Sequence, residues 1–580
     1  MASLQVLLTD TESVSAFSAH DTRLQLIRDI DLALDDIAQA STTSPVLQAL
    51  KLFRSRPTKL GSDSAPTAEE LAREVVSGKD LDSFPSFELS ILQQALCARR
   101  NSLAVVSRLP PELLAVILEL CRSIDDDEPK FRTRRFIPVL KITHVCRRWR
   151  HVALASAAFW SCIVLSSPRW ALEMLERSRN APLTVGMDMA SGEKKTVAAR
   201  HQVLGQVHRI RELHLTLPMF DSMLPPSLFK PAPVLEAFYF WSFGRVNSIA
   251  PASLFGGEAP ALRHLSLRSC QIHPDSPLWN NIVSLELIKV TQLPTGCDLF
   301  TFLATRMPRL RALSWCMTET SLAFFGKPLE MPVRLDLETL ELNSSNWPIY
   351  WFLRNLILPK CRITVHVPYA GDIKHTWRAL EEQRVCADQF QICAVTLTDL
   401  PPTTKEGTLE VGLFDRTCER LSRYTARFDY DLSPMQPCRE NILSAAALVM
   451  SLDSLTTLTI NCASLWRFPP PIIHHATVRT LILHRHVEPF TQQLDSDPLL
   501  AAGDPTRFDA VSRVYFPALR KIHFHDIVFE QEMEAILDWL AQRRRLNVGI
   551  EEVRLIRCSL SGAELGSLKE VVTRVSVQRV

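Results

Sequence analysis

The sequence is poor in glycine, which accounts for only 17 of its 580 residues. It contains no G-x-G-x-x-G pattern and no Walker A pattern. Both of these phosphate-binding loops need closely spaced glycines, so nothing indicates a nucleotide-binding enzyme. The patterns G-x-S-x-G and H-E-x-x-H are also missing, as are zinc-type spacings of Cys and His. We therefore expect a non-catalytic chain that carries no metal and no other cofactor.

An excess of charge is missing as well. The sequence has 65 basic and 63 acidic residues and a formal net charge of +2. Affinity for nucleic acid depends strongly on positive charge, so we expect no nucleic-acid partner. Two short basic runs, Arg132–Arg135 and Arg543–Arg545, are interpreted as solvated surface.

Paired cysteines and long apolar runs are also lacking. The 14 cysteines are scattered from Cys97 to Cys558 without a C-x-x-C pair, as is typical of free thiols in a reducing compartment. The apolar run Leu4–Leu8 is too short for the core of a signal peptide. No apolar stretch approaches the length of a membrane span. These features predict a protein of the cytoplasm or nucleus without a membrane partner.

The N-terminal region, residues 1–103, is predicted to be helical. Apolar residues recur at helical spacing across residues 17–40, and a second helix is expected from Phe87 to about Ser102. Residues 53–86, rich in Pro, Gly, Ser and Asp, are interpreted as a linker with one short helix near Ala68–Val76. Three roles remain open for the helices: they pair with each other, they mediate self-association, or they pack on the segment that follows.

The C-terminal region, residues 166–580, repeats one apolar pattern. Each unit has an apolar residue, two variable residues, an apolar residue, one variable residue and a third apolar residue. The middle residues of the first six units follow each other at spacings of 20 to 28 residues. The units are Ile210-Leu213-Leu215, Leu235-Phe238-Phe240, Leu262-Leu265-Leu267, Ile282-Leu285-Leu287, Leu310-Leu313-Trp315, Leu337-Leu340-Leu342, Ile392-Val395-Leu397, Leu455-Leu458-Ile460, Val478-Leu481-Leu483, Leu519-Ile522-Phe524 and Ile550-Val553-Leu555.

This spacing predicts an α/β fold. The second and third apolar positions lie two residues apart and therefore face the same side of a strand. Helix-like segments lie between the strands, and units of about 20–29 residues are typical of leucine-rich repeats. We expect an irregular leucine-rich-repeat solenoid with parallel strands, interrupted by one weak unit near Phe428 and Tyr430. The alternative is a stack of unrelated βα units in an open parallel sheet.

Polar residues between the apolar positions are predicted to face the opposite, concave side, where repeat proteins bind partners. The pairs His484/His486 and His523/His525 would bring four imidazoles together if their strands were neighbours. We favour ordinary polar residues over a metal site there. The candidate substrate-binding residues are Tyr239, Trp241, Arg268, Glu286, His484, His486, His523, His525 and Arg554.

Residues 104–165 contain an ordered motif. Leu109-Pro110 and Glu112-Leu113 open a predicted apolar helix, and Val145-Cys146-Arg147 with Trp149 follow about 25 residues after it. A late Phe159-Trp160 closes the segment. This segment resembles an F-box. The residues after it, together with the repeats, resemble fungal F-box proteins with divergent C-terminal leucine-rich repeats. An insert at residues 123–138 lengthens the first connection beyond the usual pattern.

The resemblance implies a substrate-recognition subunit of an SCF-type (cullin–RING) ubiquitin ligase. In such a protein the F-box binds the adaptor subunit, and through it the cullin, while the repeats bind a protein substrate. The chain itself would be non-catalytic. The alternative is an interaction scaffold that is not assembled into a ligase. By the resemblance, the adaptor-binding residues are Leu109, Pro110, Leu113, Ile117, Val145, Trp149 and Leu154; for Val145 and Trp149 a purely core role stays open.

Overall fold

The chain forms two compact units, Met1–Gly186 and Met187–Val580. The structure is a computed structural model. It describes residues 27, 28, 30–32 and 34, then 86–123, 141–165, 167–189, 194–217, 224–242, 248–290, 297–317, 329, 331–368, 373–387, 391–400, 406–415, 422–431, 445–446, 449–461, 477–485, 515–529 and 532–578. The expected helix near Ala68–Val76, almost all of the 53–86 linker and most of the insert lie outside these residues.

The first unit is mainly helical and ends in two short parallel strands. The described residues of the 17–40 segment are helical, and the helix expected from Phe87 is confirmed by α1. The helices are α1 (Ser86–Leu103), α2 (Pro111–Ser123), α3 (Arg147–Ala155) and α4 (Pro168–Arg177), and the strands are β1 (Cys162–Val164) and β2 (Leu183–Asp188).

The core of the first unit is centred on Trp160, which is 1% exposed. Its indole Nε1 donates a hydrogen bond of 2.7 Å to the carbonyl of Ala153 at the end of α3. The Arg177 guanidinium lies 4.6 Å above the indole ring. A buried indole needs a partner for its N–H, and this bond fixes the turn after α3 against the core.

The N-terminal helix of this unit contacts α1. Ile30 is fully buried, and the Asp31 carboxylate forms an ion pair of 2.5 Å with Arg100 near the end of α1. Of the three roles left open for the N-terminal helices, these contacts favour pairing with each other.

The second unit contains a large, mostly parallel sheet, so the α/β class is confirmed. Its strands are β3 (Ile210–Leu217), β4 (Ala237–Ser242), β6 (His264–Arg268), β8 (Ser284–Ile288), β9 (Ala312–Cys316), β11 (Thr339–Asn343), β13 (Arg362–Val367), β14 (Ala394–Leu400), β15 (Glu406–Phe414), β16 (Tyr424–Asp431), β17 (Thr457–Asn461), β18 (Thr480–His484), β19 (Lys521–His525), β20 (Glu552–Ile556) and β21 (Arg574–Gln578). Two small parallel sheets pair β5 (Ser248–Ala250) with β7 (Cys270–Ile272) and β10 (Val333–Arg334) with β12 (Leu356–Ile357).

Helices and 3-10 turns lie in several of the described connections between these strands. The α-helices are α5 (Lys194–Leu204), α6 (Cys297–Arg306), α7 (Asn346–Arg354), α8 (Lys374–Ala387), α9 (Glu532–Arg545) and α10 (Gly562–Val571). Each of the eleven predicted apolar units contributes a strand, and all three apolar residues of every unit are less than 9% exposed. The apolar pattern therefore identified one buried face of the sheet.

One strand departs from the expected parallel arrangement. β15 runs antiparallel to both of its neighbours, β14 and β16. Because β16 then pairs with β13 and β14 pairs with β17, the order in space is β13, β16, β15, β14, β17. The weak unit expected near Phe428 and Tyr430 is the strand β16, in which Tyr424, Ala426 and Phe428 are buried.

Among the described residues, no helix is both long enough and apolar enough to cross a membrane.

Candidate functional site

An exposed apolar face on α2 is the most distinctive surface of the first unit. Leu113 is 53% exposed, Val116 is 50% exposed and Leu120 is 58% exposed. These residues are spaced three and four apart and therefore lie on one side of the helix. Large apolar side chains grouped at this level of exposure are typical of protein-binding surfaces.

The opposite side of α2 explains why this face is left outside. Leu114 and Leu118 are fully buried, and α2 packs against α3 and the 3-10 turn Ala158–Trp160. The Ser156 hydroxyl donates a hydrogen bond of 3.1 Å to the Glu119 carboxylate, which ties the end of α3 to α2. The helix thus has two apolar sides, and only one of them is used in the core.

The motif around α2 and α3 is held by polar contacts. The Arg148 guanidinium donates a hydrogen bond to the carbonyl of Leu109. Cys146 caps α3, since its sulfur accepts a hydrogen bond of 3.5 Å from the backbone N–H of Trp149. The two halves of the sequence motif are therefore joined by a direct contact, the hydrogen bond from Arg148 to Leu109.

The predicted adaptor-binding residues fall into two classes of exposure. Pro110, Leu113, Val145 and Leu154 are exposed, and Val145, at 55% exposure, does not belong to the core. Leu109, Ile117 and Trp149 are partly buried. The sequence prediction omitted Val116 and Leu120, although their helical spacing from Leu113 carried the information.

The predicted substrate-binding residues lie on the polar face of the sheet, the face opposite the buried apolar units. They form two groups there. Tyr239, Trp241, Arg268 and Glu286 are on neighbouring strands β4, β6 and β8. His484, His523, His525 and Arg554 are on β18, β19 and β20. Seven strands separate the groups, so one small ligand cannot contact both. His486 lies outside the described residues.

In the first group, aromatic and acidic side chains alternate with hydroxyls. The Tyr239 ring stacks on the His214 ring with 3.9 Å between centroids. The Ser266 hydroxyl donates a hydrogen bond of 2.6 Å to the Glu286 carboxylate. Burial raises the pKa of the Tyr239 phenol, and the nearby carboxylates of Glu212 and Glu286 raise it further. The carboxylates of Glu212 and Glu286 therefore lie close enough to act on the Tyr239 phenol.

In the second group, three imidazoles lie side by side. His484 and His525 are opposite each other on paired strands, with 4.4 Å between ring centroids. Burial lowers the pKa of His484, His523 and His525, and neighbouring cations lower it further. The protonated form of these imidazoles is therefore less favourable than in free histidine, although Asp526 and Glu552 partly offset the effect.

The strands of the two histidine pairs are neighbours, as the metal hypothesis required. Nevertheless, the part of the chain that the structure describes contains no group of three or more His, Cys, Asp or Glu residues placed to hold a metal ion.

The basic run Arg543–Arg545 is not uniformly solvated, contrary to the sequence interpretation. Arg543 is fully buried, and its guanidinium donates hydrogen bonds of 2.6 and 3.0 Å to the carbonyls of Tyr515 and Phe516. Its side chain also lies over the ring of Trp539, with 4.8 Å to the centroid. A short run of like charges is a poor guide to burial when one member of the run satisfies buried carbonyls. The run Arg132–Arg135 lies outside the described residues.

Comparison with known proteins gives no assignment. No protein-family model matches the chain, and no curated protein matches it.

Proposed function

We propose that the protein is a substrate-recognition subunit of an SCF-type ubiquitin ligase. In this proposal residues 104–165 are an F-box that binds the adaptor, and the adaptor connects the chain to the cullin. The second unit binds a protein substrate. The chain performs no bond chemistry and acts by holding a substrate close to the ubiquitin-charged enzyme. The ligase would operate in the cytoplasm or nucleus.

The observation that carries the proposal is the exposed face of α2 within the F-box-like motif. Leu113, Val116 and Leu120 leave a row of apolar side chains in solvent, while Leu114 and Leu118 fill the core behind them. Exposure of this row is unfavourable in an isolated chain, because apolar surface is more stable out of water. Burial of the row against a partner removes that cost, and the motif resemblance indicates the SCF adaptor as the partner.

The second unit supports the other half of the proposal. Its eleven predicted units are strands with one buried face, and helices or 3-10 turns lie in several of the described connections. We propose that these strands form an irregular leucine-rich-repeat solenoid whose polar face binds the substrate. Solenoids use such extended faces for partners.

The test is direct binding to purified adaptor–cullin complex. Full-length protein is immobilised, and the bound adaptor and cullin are quantified with antibodies. Leu113→Asp and Val116→Asp each place a charge within the proposed contact, so at least a tenfold loss of adaptor binding is expected. Leu109→Ala and Pro110→Ala are expected to weaken binding as well.

Val528→Asp is the matched control, because Val528 is 64% exposed and lies in the second unit. It is expected to bind the adaptor like the original protein. If the intact chain binds no adaptor, the proposal is wrong. If it binds adaptor but never recruits cullin, the protein is an interaction scaffold and not a ligase subunit.

A further inference from the structure

A groove of about 310 Å³ lies on the polar face of the second unit. It crosses five neighbouring strands, from β4 to β11. Its centre is one row of side chains in direct register across these strands. The row consists of Tyr239, Ser266, Glu286, Ser314 and Glu341.

The groove exists because short side chains alternate with long ones in this row. Ser314 stands between Glu286 and Glu341, so an open space remains above this serine. The adjoining row consists of His264, Ser284, Ala312 and Thr339, and its last three side chains are short. The floor is therefore made of hydroxyl and methyl groups, and the longer side chains form the walls.

Glu286 and Glu341 flank the space above Ser314. They lie two strands apart, which separates their backbones by about 10 Å. Each carboxylate accepts one hydrogen bond from a serine: Glu286 from Ser266 at 2.6 Å, and Glu341 from Ser314 at 3.4 Å. No Lys or Arg among the described residues forms an ion pair with either carboxylate. Two carboxylates thus face one cavity.

Two basic side chains, His264 and Arg268, lie in the rows on either side of the central row. Arg268 lies in the next row, where its guanidinium is 5.8 Å from the ring centroid of Trp241. Tyr239 closes one end of the groove, and its ring is held by stacking on His214. Two carboxylates that face one cavity are a favourable surrounding for a cationic side chain.

We propose that the groove binds an arginine or lysine side chain of a protein substrate, with its cationic head above Ser314 between Glu286 and Glu341. Arginine suits the site better, because its planar guanidinium has donors directed to both sides. The Ser314 hydroxyl supplies an acceptor at the floor. This inference rests on the proposed function in one respect: the bound segment is called a substrate because of that proposal.

The test uses full-length protein and fluorescein-labelled pentapeptide pools with blocked ends. The central residue is Arg, Lys, citrulline or Glu, and the other four positions carry an equimolar mixture of uncharged residues. Citrulline has the shape of arginine without its charge. Fluorescence anisotropy is expected to show at least fivefold tighter binding of the Arg pool than of the citrulline pool, and no detectable binding of the Glu pool.

Glu286→Gln and Glu341→Gln are each expected to abolish the preference for Arg over citrulline. Glu410→Gln is the matched control, because Glu410 is on the same sheet but forms an ion pair of 2.8 Å with Arg427. It is expected to keep the preference. Circular dichroism checks that each variant is folded.

Equal binding of the Arg and citrulline pools, or no binding of any pool, would overturn the inference. Tighter binding of spermidine alone than of the Arg pool would also overturn it, since the site would then take a free polyamine. No adaptor is present in these titrations, so their failure leaves the ligase proposal standing. Conversely, a failure of adaptor binding does not affect the measured preference for arginine.

Discussion

Arg543 shows how a single charged residue can hold a loop in the second unit. Its guanidinium bonds the carbonyls of Tyr515 and Phe516, and Phe516 adopts a φ of +51°. A bulky residue rarely adopts this left-handed conformation without external support. The buried arginine therefore stabilises both the loop and the start of β19, which follows it.

Replacement of Arg543 by Met is expected to destabilise this region by about 3 kcal/mol, because buried carbonyls lose their donors. Hydrogen exchange of the β19 amides measures the effect, and protection is expected to fall about 100-fold. The matched change is Arg545→Met at an exposed position of the same helix, expected to stay within about 0.5 kcal/mol. Unchanged protection in Arg543→Met would show that the loop does not depend on this side chain.

The histidine cluster makes the stability of the second unit dependent on pH. Burial lowers the pKa of His484, His523 and His525 below the ordinary value of 6.5. As the pH falls below 6.5, the unfolded chain binds more protons at these imidazoles than the folded chain does. The free energy of unfolding therefore decreases towards acid pH, and the effect vanishes above pH 7.5. The charged neighbours that set these pKa values are Arg485, Lys521, Asp526, Glu552, Arg554 and Arg557.

The double substitution His523→Asn with His525→Asn is expected to reduce the acid sensitivity. Urea unfolding followed by circular dichroism at pH 7.5 and pH 5.5 provides the measurement. From pH 7.5 to pH 5.5, the urea midpoint of the variant should fall less than the urea midpoint of the original protein. His273→Asn, at an exposed imidazole outside the cluster, serves as the control. A parallel fall in the midpoint of the double variant and the original protein would contradict the prediction.

At the scale of the element, the apolar units identified most of the sheet. Their residues are large and apolar at all three positions, so local pattern and burial agree. β13 was missed because Lys360 stands where the first apolar residue belongs, although Ile363 and Val365 are buried. β21 was also missed, although Val572, Val575 and Val577 fit the pattern; unlike the predicted units it does not bury all three residues, since Val577 is 43% exposed.

The candidate sites were only partly predictable, because they depend on which strands become neighbours. Tyr239 and Glu286 were expected on one face from local alternation alone. Glu341 joins their groove because β9 and β11 extend the same ladder, and this pairing is non-local. The exposed side of α2 was predicted through Leu113, but the division between Val116 outside and Leu118 inside depends on packing against α3.

A proline in the antiparallel strand β15 is expected to destabilise the sheet more than a proline in β21. Val411 pairs with Leu397 on one side and with Ala426 on the other. Val411→Pro removes a backbone donor and introduces a steric conflict within a strand that has two neighbours. We expect loss of amide protection in both β14 and β16, measured by hydrogen exchange.

Val575→Pro in β21 is the comparison, since β20 is the only strand described as its partner. Its effect should be confined to β20 and β21. If Val411→Pro left β14 and β16 as protected as before, β15 would be dispensable for the sheet.

At the scale of the whole molecule, the thiols report on folding. Cys270 and Cys361 are fully buried, and burial raises the pKa of each to about 12. Because thiolate is the reactive form, both should resist alkylation in the folded protein. Cys121 and Cys386 are exposed and are expected to react first.

Iodoacetamide labelling followed by peptide mass spectrometry tests this order. Cys270 and Cys361 should be modified only in denaturant, with a midpoint that follows unfolding measured by circular dichroism. Rapid modification of Cys361 in native buffer would mean that the interior near β13 opens readily.

In the sheet β16 lies next to β13, although β14 and β15 come between them in the sequence. This order has a consequence for folding during synthesis. A ribosome releases the chain from its N-terminus, and each earlier parallel strand from β4 to β13 can join the strand that was completed before it. After β13 this stops, because its next neighbour is β16, which is synthesised only at Tyr424–Asp431. Until then the nascent sheet ends in an open edge, a known site of unwanted pairing. Growth of the sheet must therefore wait at β13 until Asp431 has left the ribosome.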